Sequence, residues 1–477
     1  MNLENTTPAV GKNGETRRSF LRKAGVLGTA GIIGASGAPL ILRKLEAAAA
    51  PAAPSAAPLR FACISDTHIG HGKAAQFTAR ALQVLATKAP LDRLFVVGDI
   101  TNSATNAEYD KLLAIFRDPA NFPANIPVRF ITGNHDYHSR RDPLAYYLHR
   151  VGQPHNEYTQ IKGFPFISVG MTGSRTPIVY NKETREFLRK HLADAAAKFP
   201  GKPIFVFAHI PAPATCYGSR HWHAANHLDG IFDKYPQAIL FSGHSHAPLT
   251  NHTSIWQGTF TAVNDGRITN NDNISADIEE GVTDRDGKPT NKPGRYDEIS
   301  DGVVVSVLST GDVEIQRWDV RRDVEILPRW IVAAPHDGSR FAYRANSPKP
   351  ATPEFDVALP PVVKKTSGGL TLTIPQAQPA LSVLRYQVDV FHGKPHGGSS
   401  GFVLSELETP AANSAANLVA KPLASRGPFS FYYLSSDQPK TVEAVFKKLP
   451  AVAPLYATIR AIDHYGKQSK RAWIGAL

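Results

Sequence analysis

From Arg60 to about Arg329 short apolar or β-branched runs alternate with stretches of helical periodicity, the pattern of an α/β layered fold. The runs Phe61–Ile64, Leu94–Val97, Val128–Ile131, Phe166–Val169, Ile204–Phe207 and Ala238–Phe241 predict strands. Between the second and third, Tyr109, Leu112, Leu113 and Phe116 recur at helical spacing and form one buried face. The stretch from Asn264 to Ser300 is rich in Asn, Asp, Gly and Lys and predicts a long surface loop. After it, Val303–Val307 and Val313–Trp318 flank Ser309-Thr-Gly-Asp312, a hairpin with turn residues between its strands. Beyond Trp330 the helical periodicity stops. From Phe355 to Leu477 strand-like alternation dominates, in Leu370–Ile374, Leu384–Val390, Phe429–Tyr433 and Leu455–Ile462, with Gly, Pro and Ser between. A small β-sandwich accounts for that pattern.

The amino-terminal pattern is of another kind. Thr16-Arg17-Arg18-Ser19-Phe20-Leu21-Arg22-Lys23 precedes an apolar, glycine-laced stretch from Ala24 to Leu42 and a run of Ala ending at Pro51. It resembles a twin-arginine (Tat) signal peptide, which implies export of a folded protein by the Tat machinery to the periplasm or beyond. The alternative is an uncleaved membrane anchor, since about 19 residues are enough to span a bilayer; five glycines dilute its hydrophobicity. The expected organisation is therefore a signal over 1–50, an Ala/Pro linker over 51–59, a catalytic domain over 60–330, a second linker over 331–354 and a β domain over 355–477.

Composition narrows the function classes. A chain of 477 residues with 42% apolar residues and 2 Cys has material for packed cores and no disulfide framework. The net charge of +12 falls to about +8 without the first fifty residues. No Lys/Arg block tracks a nucleic-acid backbone, so no stable nucleic-acid complex is expected; the mild basicity suits a phosphate-bearing substrate. Cys63 sits in a strand as a small buried thiol, and a pairing with Cys216 is conceivable in an oxidising compartment.

Five strand ends carry the chemistry. Asp66-Thr67-His68, Gly98-Asp99, Thr132-Gly133-Asn134-His135-Asp136, His209 and Gly243-His244-Ser245-His246 each follow an apolar run. Any one of them has a bland explanation as a turn. Together they deliver Asp, Asn and His to the carboxyl ends of an open α/β sheet, where such sheets bind ligands. The donors are N and O without thiolate, which suits Mn, Fe or Zn, and there are enough for two metals sharing one carboxylate.

This order of five motifs resembles the calcineurin-like metallophosphoesterases. The resemblance implies a sandwich of two mixed β-sheets flanked by helices. It implies one metal on Asp66, His68, Asp99 and His246 and a second on Asp99, Asn134, His209 and His244, with Asp99 bridging. His135 would then face the phosphate from the leaving-group side, Asp136 would orient His135, and a metal-bridging hydroxide would attack phosphorus in line. The departures matter as well: purple acid phosphatases carry a Tyr three residues after the Gly-Asp carboxylate, where this chain has Asn102, and they lack a ligand equivalent to His68. A tyrosinate-iron colour is not expected. The C-terminal end, Ile459 to Ser469, resembles the last hairpin of a fibronectin type III domain.

Between His209 and Gly243 lies a segment with Arg220, His221, Trp222 and His223. It reads as a substrate-facing loop, with Arg220 on phosphate and Trp222 stacking on a base, lipid or sugar, or as an ordinary surface loop. The resulting expectation is an exported dinuclear-metal hydrolase of small-molecule or lipid phosphoric esters, with phosphodiesterase ahead of phosphomonoesterase. An inactive cell-envelope binding protein is the reading from a different class, and membrane attachment is expected only if the signal stays uncleaved.

Overall fold

The computed structural model describes residues 59–477 except 139–141, 173–179, 220–227, 229, 250, 270–299, 345–350, 368, 393–402, 406–421, 429, 431–438, 448, 464–466 and 475–477. The expected signal segment, Arg220, Trp222 and His223 lie outside the described residues. Among the described residues no helix is long and apolar enough to cross a membrane.

Two six-stranded mixed sheets form the first part of the chain. In one, β1 (Leu59–Ile64), β2 (Arg93–Val97) and β3 (Val128–Ile131) run parallel, and β10 (Asp301–Val307), β11 (Val313–Asp319) and β12 (Val324–Val332) extend it antiparallel from the β1 edge. In the other, β5 (Phe164–Val169), β6 (Ile204–Ala208), β7 (Ala238–Ser242) and β9 (Thr261–Asn264) run parallel. The short antiparallel strands β4 (Glu157–Ile161) and β8 (Ile255–Gln257) close its two edges.

The period-two alternation of each strand decides which layer it feeds. Phe61 and Cys63 of β1 point between the sheets, into a core with Phe95, Phe166, Phe205, Phe207 and Phe241; Ala62 and Ile64 point outward. Phe61 stands edge-on to five of those rings at centroid distances of 4.9 to 5.9 Å, a favoured aromatic geometry. The helices α1 (Ala74–Ala86) and α2 (Asn106–Arg117) cover the outer face of the first sheet, and α4 (Lys182–Lys198) that of the second; α3 (Pro143–Val151) follows the β3 loop. Strands buried on both faces read as continuous apolar runs, which is why the six central ones are visible in the sequence.

Helix α2 starts at a capping box, with the Thr105 hydroxyl accepting from the Glu108 amide and the Glu108 carboxylate accepting from the Thr105 amide. Glu108 also accepts from the Ser103 amide, so the cap pins the loop that leaves β2.

Two corrections concern loops. The ends of the segment expected as a surface loop are buried: Asp265, Arg267, Ile268, Thr269 and Ser300 lie inside, and the Ile268 and Thr269 amides donate to the carbonyls of Ser65 and Asp66. The residues after β12 also return to the sheets. The Gln257 side chain accepts from the amides of Ala342 and Tyr343, and the His336 ring bonds the Gly311 carbonyl.

The C-terminal part is all-β. A three-stranded sheet, β13 (Val362–Thr366), β14 (Gly369–Pro375) and β18 (Thr441–Phe446), shares one core with a five-stranded sheet. The latter holds β15 (Val383–His392), β16 (Val403–Ser405), β17 (Ala424–Arg426), β19 (Leu455–Asp463) and β20 (Arg471–Ile474). Buried Tyr386 donates its hydroxyl to Gln376 Oε1 at 2.6 Å and accepts from the Ala377 amide, which satisfies both ends of an otherwise costly polar group. Of the expected strand Phe429–Tyr433, all but Ser430 lies outside the described residues.

Candidate metal centre

The turns after β1, β2, β3, β6 and β7 all open at the carboxyl ends of parallel strands, and each delivers candidate ligands. To converge, the chain must turn sharply. Asp66, His68, Asp99, His244 and His246 hold positive φ of 52°, 42°, 49°, 63° and 52°, a region that side chains other than glycine seldom occupy. Main-chain hydrogen bonds hold these turns together: the Asp66 amide donates to the Gly98 carbonyl and the His68 amide to the Asp99 carbonyl.

Glycine precedes three of the candidates because the next turn packs against it. A Cβ at Gly98 would stand 2.2 Å from the His209 ring, one at Gly133 would stand 2.2 Å from Asp99 Oδ1, and one at Gly243 would stand 2.4 Å from Asp66 Oδ2. Each glycine therefore makes room for a neighbouring turn's ligand. The glycine-acid and glycine-amide pairs in the sequence are the visible trace of that interlock.

Three trios offer nitrogen or oxygen atoms that all lie within 4.8 Å of one another: Asp66, His68 and His246; Asp99, His209 and His244; and His68, Asp99 and His135. In the first, His246 Nε2 is 3.0 Å from Asp66 Oδ1 and 3.2 Å from His68 Nε2. In the second, His209 Nε2 is 3.3 Å from Asp99 Oδ2 and 3.3 Å from Asn134 Oδ1. Asp99 Oδ2 also lies 3.7 Å from His68 Nε2, so a single oxygen faces both groups. All seven expected ligands are brought together, and all seven are buried.

Charge and protonation suit cations. Burial alone would raise the Asp66 carboxyl, but the charge and hydrogen bond of His246 outweigh it and hold the group below the usual carboxylate range. Asp99 is likewise held down against burial, by His209. Burial lowers the His68 and His244 rings to about 3, leaving them neutral. His209 moves the other way: burial opposes its charge, yet Asp99 pushes it up to about 10. The His209 Nδ1–H donates to the Val97 carbonyl at 2.8 Å, which aims Nε2 at Asp99. The anionic carboxylates, the neutral His68 and His244 rings and an amide oxygen are in the forms that bind metal, while His209, charged beside Asp99 in the metal-free site, would release its Nε2 proton on taking up an ion.

His135 is half-buried at the edge of this cluster, its ring edge-on to His68 at 4.6 Å. Its Nδ1 is 2.8 Å from the Asn102 carbonyl, and its amide donates to Asp99 Oδ1 at 2.8 Å. The expected role of Asp136 in orienting this ring is corrected. The Asp136 carboxylate accepts from the amides of Gly133, Ile100 and Thr101 and from the Thr101 hydroxyl. It ties the β2 and β3 turns together, while the Asn102 carbonyl holds the ring. Cys63 and Cys216 are both buried thiols, not joined in a disulfide.

Residues that sequence reasoning passed over also belong here. Ser65 bonds Asp66, Thr101 bonds Asp136, and the His138 ring stands 4.1 Å from that of His135. Ser65 and Thr101 act through hydroxyls that look like any others in a sequence. Asn102 acts through its main chain, which leaves no side-chain signal.

Comparisons with known proteins agree with this geometry in part. Residues 59–248 match the family described as calcineurin-like phosphoesterase. A search of curated proteins returns no match. Among solved structures, the chain is similar to a purple acid phosphatase from yellow lupin (Lupinus luteus) seeds, at 13% identity and a TM-score of 0.39, over 58% of this chain and 53% of that one. It is similar to Vps29 of Chaetomium thermophilum at 10% identity and a TM-score of 0.24, over 57% of this chain and 96% of that one. The chain thus spans about half the length of the lupin phosphatase, and likenesses at these scores add nothing to the reading of the site. Residues 59–248 are thus similar to the calcineurin-like phosphoesterase family, and the Asp, Asn and His side chains gathered at the strand ends of that segment are candidate metal ligands.

Proposed function

We propose that this chain is an exported two-metal hydrolase of phosphoric esters that prefers diesters to monoesters. The observation that carries the two-metal part is Asp99 Oδ2, which faces His68 on one side and His209 on the other. Asp66, His68, Asp99 and His246 would hold one ion, and Asp99, Asn134, His209 and His244 the other, as Mn, Fe or Zn. Such a pair lowers the pKa of water and polarises the phosphoryl oxygens when bound.

The chain's own residues supply the rest. The Asn102 carbonyl fixes His135 by its Nδ1–H and leaves Nε2 for the departing oxygen, where His135 acts as general acid. The main chain of His135 and the turn residues around Asp136 keep that ring in register with Asp99.

The motifs are shared by the family's phosphodiesterases and do not separate diesters from monoesters; the paired assay below decides between them. Asp66-Thr-His68 with Asn102 departs from the purple acid phosphatase pattern, so no tyrosinate-iron colour is expected. The twin-arginine pattern over 16–23 supports export through the Tat machinery to the periplasm or beyond, and the alternation over 355–477 supports a fibronectin type III-like domain. Small-molecule or lipid phosphate esters are the substrate class. Arg220, Trp222 and His223 are the residues we assign to its recognition.

The test is a paired assay on metal-analysed protein, bis-p-nitrophenyl phosphate against p-nitrophenyl phosphate. Faster diester cleavage supports the reading; monoester preference makes the chain a phosphatase; metal-dependent turnover of neither favours a binding protein. A purple preparation would contradict the Asn102 argument.

A further inference from the structure

Resting on the two-metal reading, the geometry points to Ser65 as the positioning residue that makes Asp66 a one-oxygen ligand, and so tunes one metal subsite and not its neighbour. Ser65 is fully buried, and its Oγ lies 2.6 Å from Asp66 Oδ2 and 3.0 Å from the Gly266 carbonyl. A hydroxyl has one proton, and it goes to the closer, charged acceptor. Asp66 Oδ2 also accepts the His244 amide at 3.0 Å. With two donors on Oδ2, the remaining oxygen, Oδ1, is the one that faces His246 at 3.0 Å and His68 at 3.7 Å.

The two carboxylates of the centre are fixed differently. Asp99 is also divided, with Oδ1 accepting the His135 amide and Oδ2 facing the rings, but its donor is main chain and no side-chain deletion removes it. Asp66 depends on a side chain for half of its fixing. Gly243 leaves the Ser65 hydroxyl and Asp66 Oδ2 in contact with each other, since a Cβ there would stand 2.4 Å from both. Without the Ser65 hydroxyl the carboxylate is free to rotate about χ2, and the ordered placement of Oδ1 is lost. Groups that orient a ligand in this way commonly change metal affinity about ten- to a hundredfold when removed.

The experiment is calorimetric titration of manganese into the metal-stripped full chain, comparing wild type, Ser65→Ala and Thr67→Val. Thr67 lies in the same turn, and its hydroxyl donates to the Ile100 carbonyl instead of to a metal carboxylate, so its variant reports loosening of the turn alone. The expected result is two binding steps in wild type, with one weakened about tenfold or more in Ser65→Ala, the other unchanged, and turnover restored by excess manganese. Thr67→Val leaves the ratio of the two affinities as in wild type. Equal weakening of both steps by Ser65→Ala, or of neither, overturns the inference, as does turnover that excess manganese fails to restore. A melting curve of each metal-free variant separates these outcomes from unfolding. A wild-type chain that takes up no manganese, zinc or iron sinks the two-metal reading itself and takes this inference with it.

Discussion

Gly98 and His209 interlock. A Cβ at position 98 would stand 2.2 Å from His209 Nδ1, and that same nitrogen donates to the carbonyl of Val97, the residue before Gly98. Gly98 also holds φ at +86°, which disfavours any side chain. Gly98→Ala therefore displaces the ring. The expected outcome is loss of one metal equivalent by elemental analysis and a fall in kcat/KM of about a hundredfold, the scale of a misplacement near 1 Å.

In the proposed reaction half-buried His135, at the edge of the ligand cluster, is the group that transfers a proton. His135→Ala should lower kcat about a hundred- to ten-thousandfold on an ester with a poor leaving group, and far less on a p-nitrophenyl ester, whose leaving group needs no proton. Metal content should stay at the wild-type value. A variant that loses metal would make His135 a ligand instead.

Asp136 is a structural tie. Its carboxylate satisfies three buried amides and a hydroxyl, and an alanine leaves them without acceptors. At about 1 to 3 kcal/mol for each unsatisfied group, Asp136→Ala should destabilise the metal-free protein by at least about 3 kcal/mol in urea unfolding. The slope of activity against leaving-group pKa should stay as in wild type, because the Asp136 carboxylate is held by the β2 and β3 turns while the Asn102 carbonyl holds the His135 ring.

Asp265 is buried beside Ser65 and Asp66. Burial, with the charge of Asp66 adding to it, pushes its carboxyl up to about 8 from an ordinary 3.8. The folded state then holds a proton that the unfolded chain has released. The contribution is fully present below about pH 4 and is lost as pH rises to about 8, at up to about 1.4 kcal/mol per pH unit. Asp265→Asn should remove that slope. Urea titrations of metal-free wild type and variant between pH 5 and 8 check it, and parallel stability profiles would contradict it.

The sequence makes the centre legible because each ligand follows a strand buried on both faces. An apolar run such as Ile204–Ala208 ends at His209 with no polar residue between, so the end of the run marks the mouth of the sheet. Where alternation was weak the reading fell short. The hairpin of β4 and β5 has a half-exposed first strand with one polar residue after another, and the antiparallel β12 runs past Trp330 through exposed Ile331 to buried Val332, where periodicity had suggested an end. The segment from Asp265 to Thr269 has the composition of a surface loop. It is buried because its main chain at Gly266, Ile268 and Thr269 and the Arg267 side chain bond the turns at Ser65, Asp66 and His246, a demand that composition does not express. The role given to Asp136 failed for a similar reason: adjacency in sequence put it next to His135, while the turn aims its carboxylate back at β2.

The account stands on Asp99 serving two ions. Metal stoichiometry of the purified chain and of Asp99→Ala, measured on the samples used for diester turnover, tests it most directly. The account predicts two equivalents in wild type, at most one in the variant, and loss of turnover with it. A wild type that holds a single equivalent at full activity, or an Asp99→Ala variant that keeps both ions and turns over normally, would contradict it.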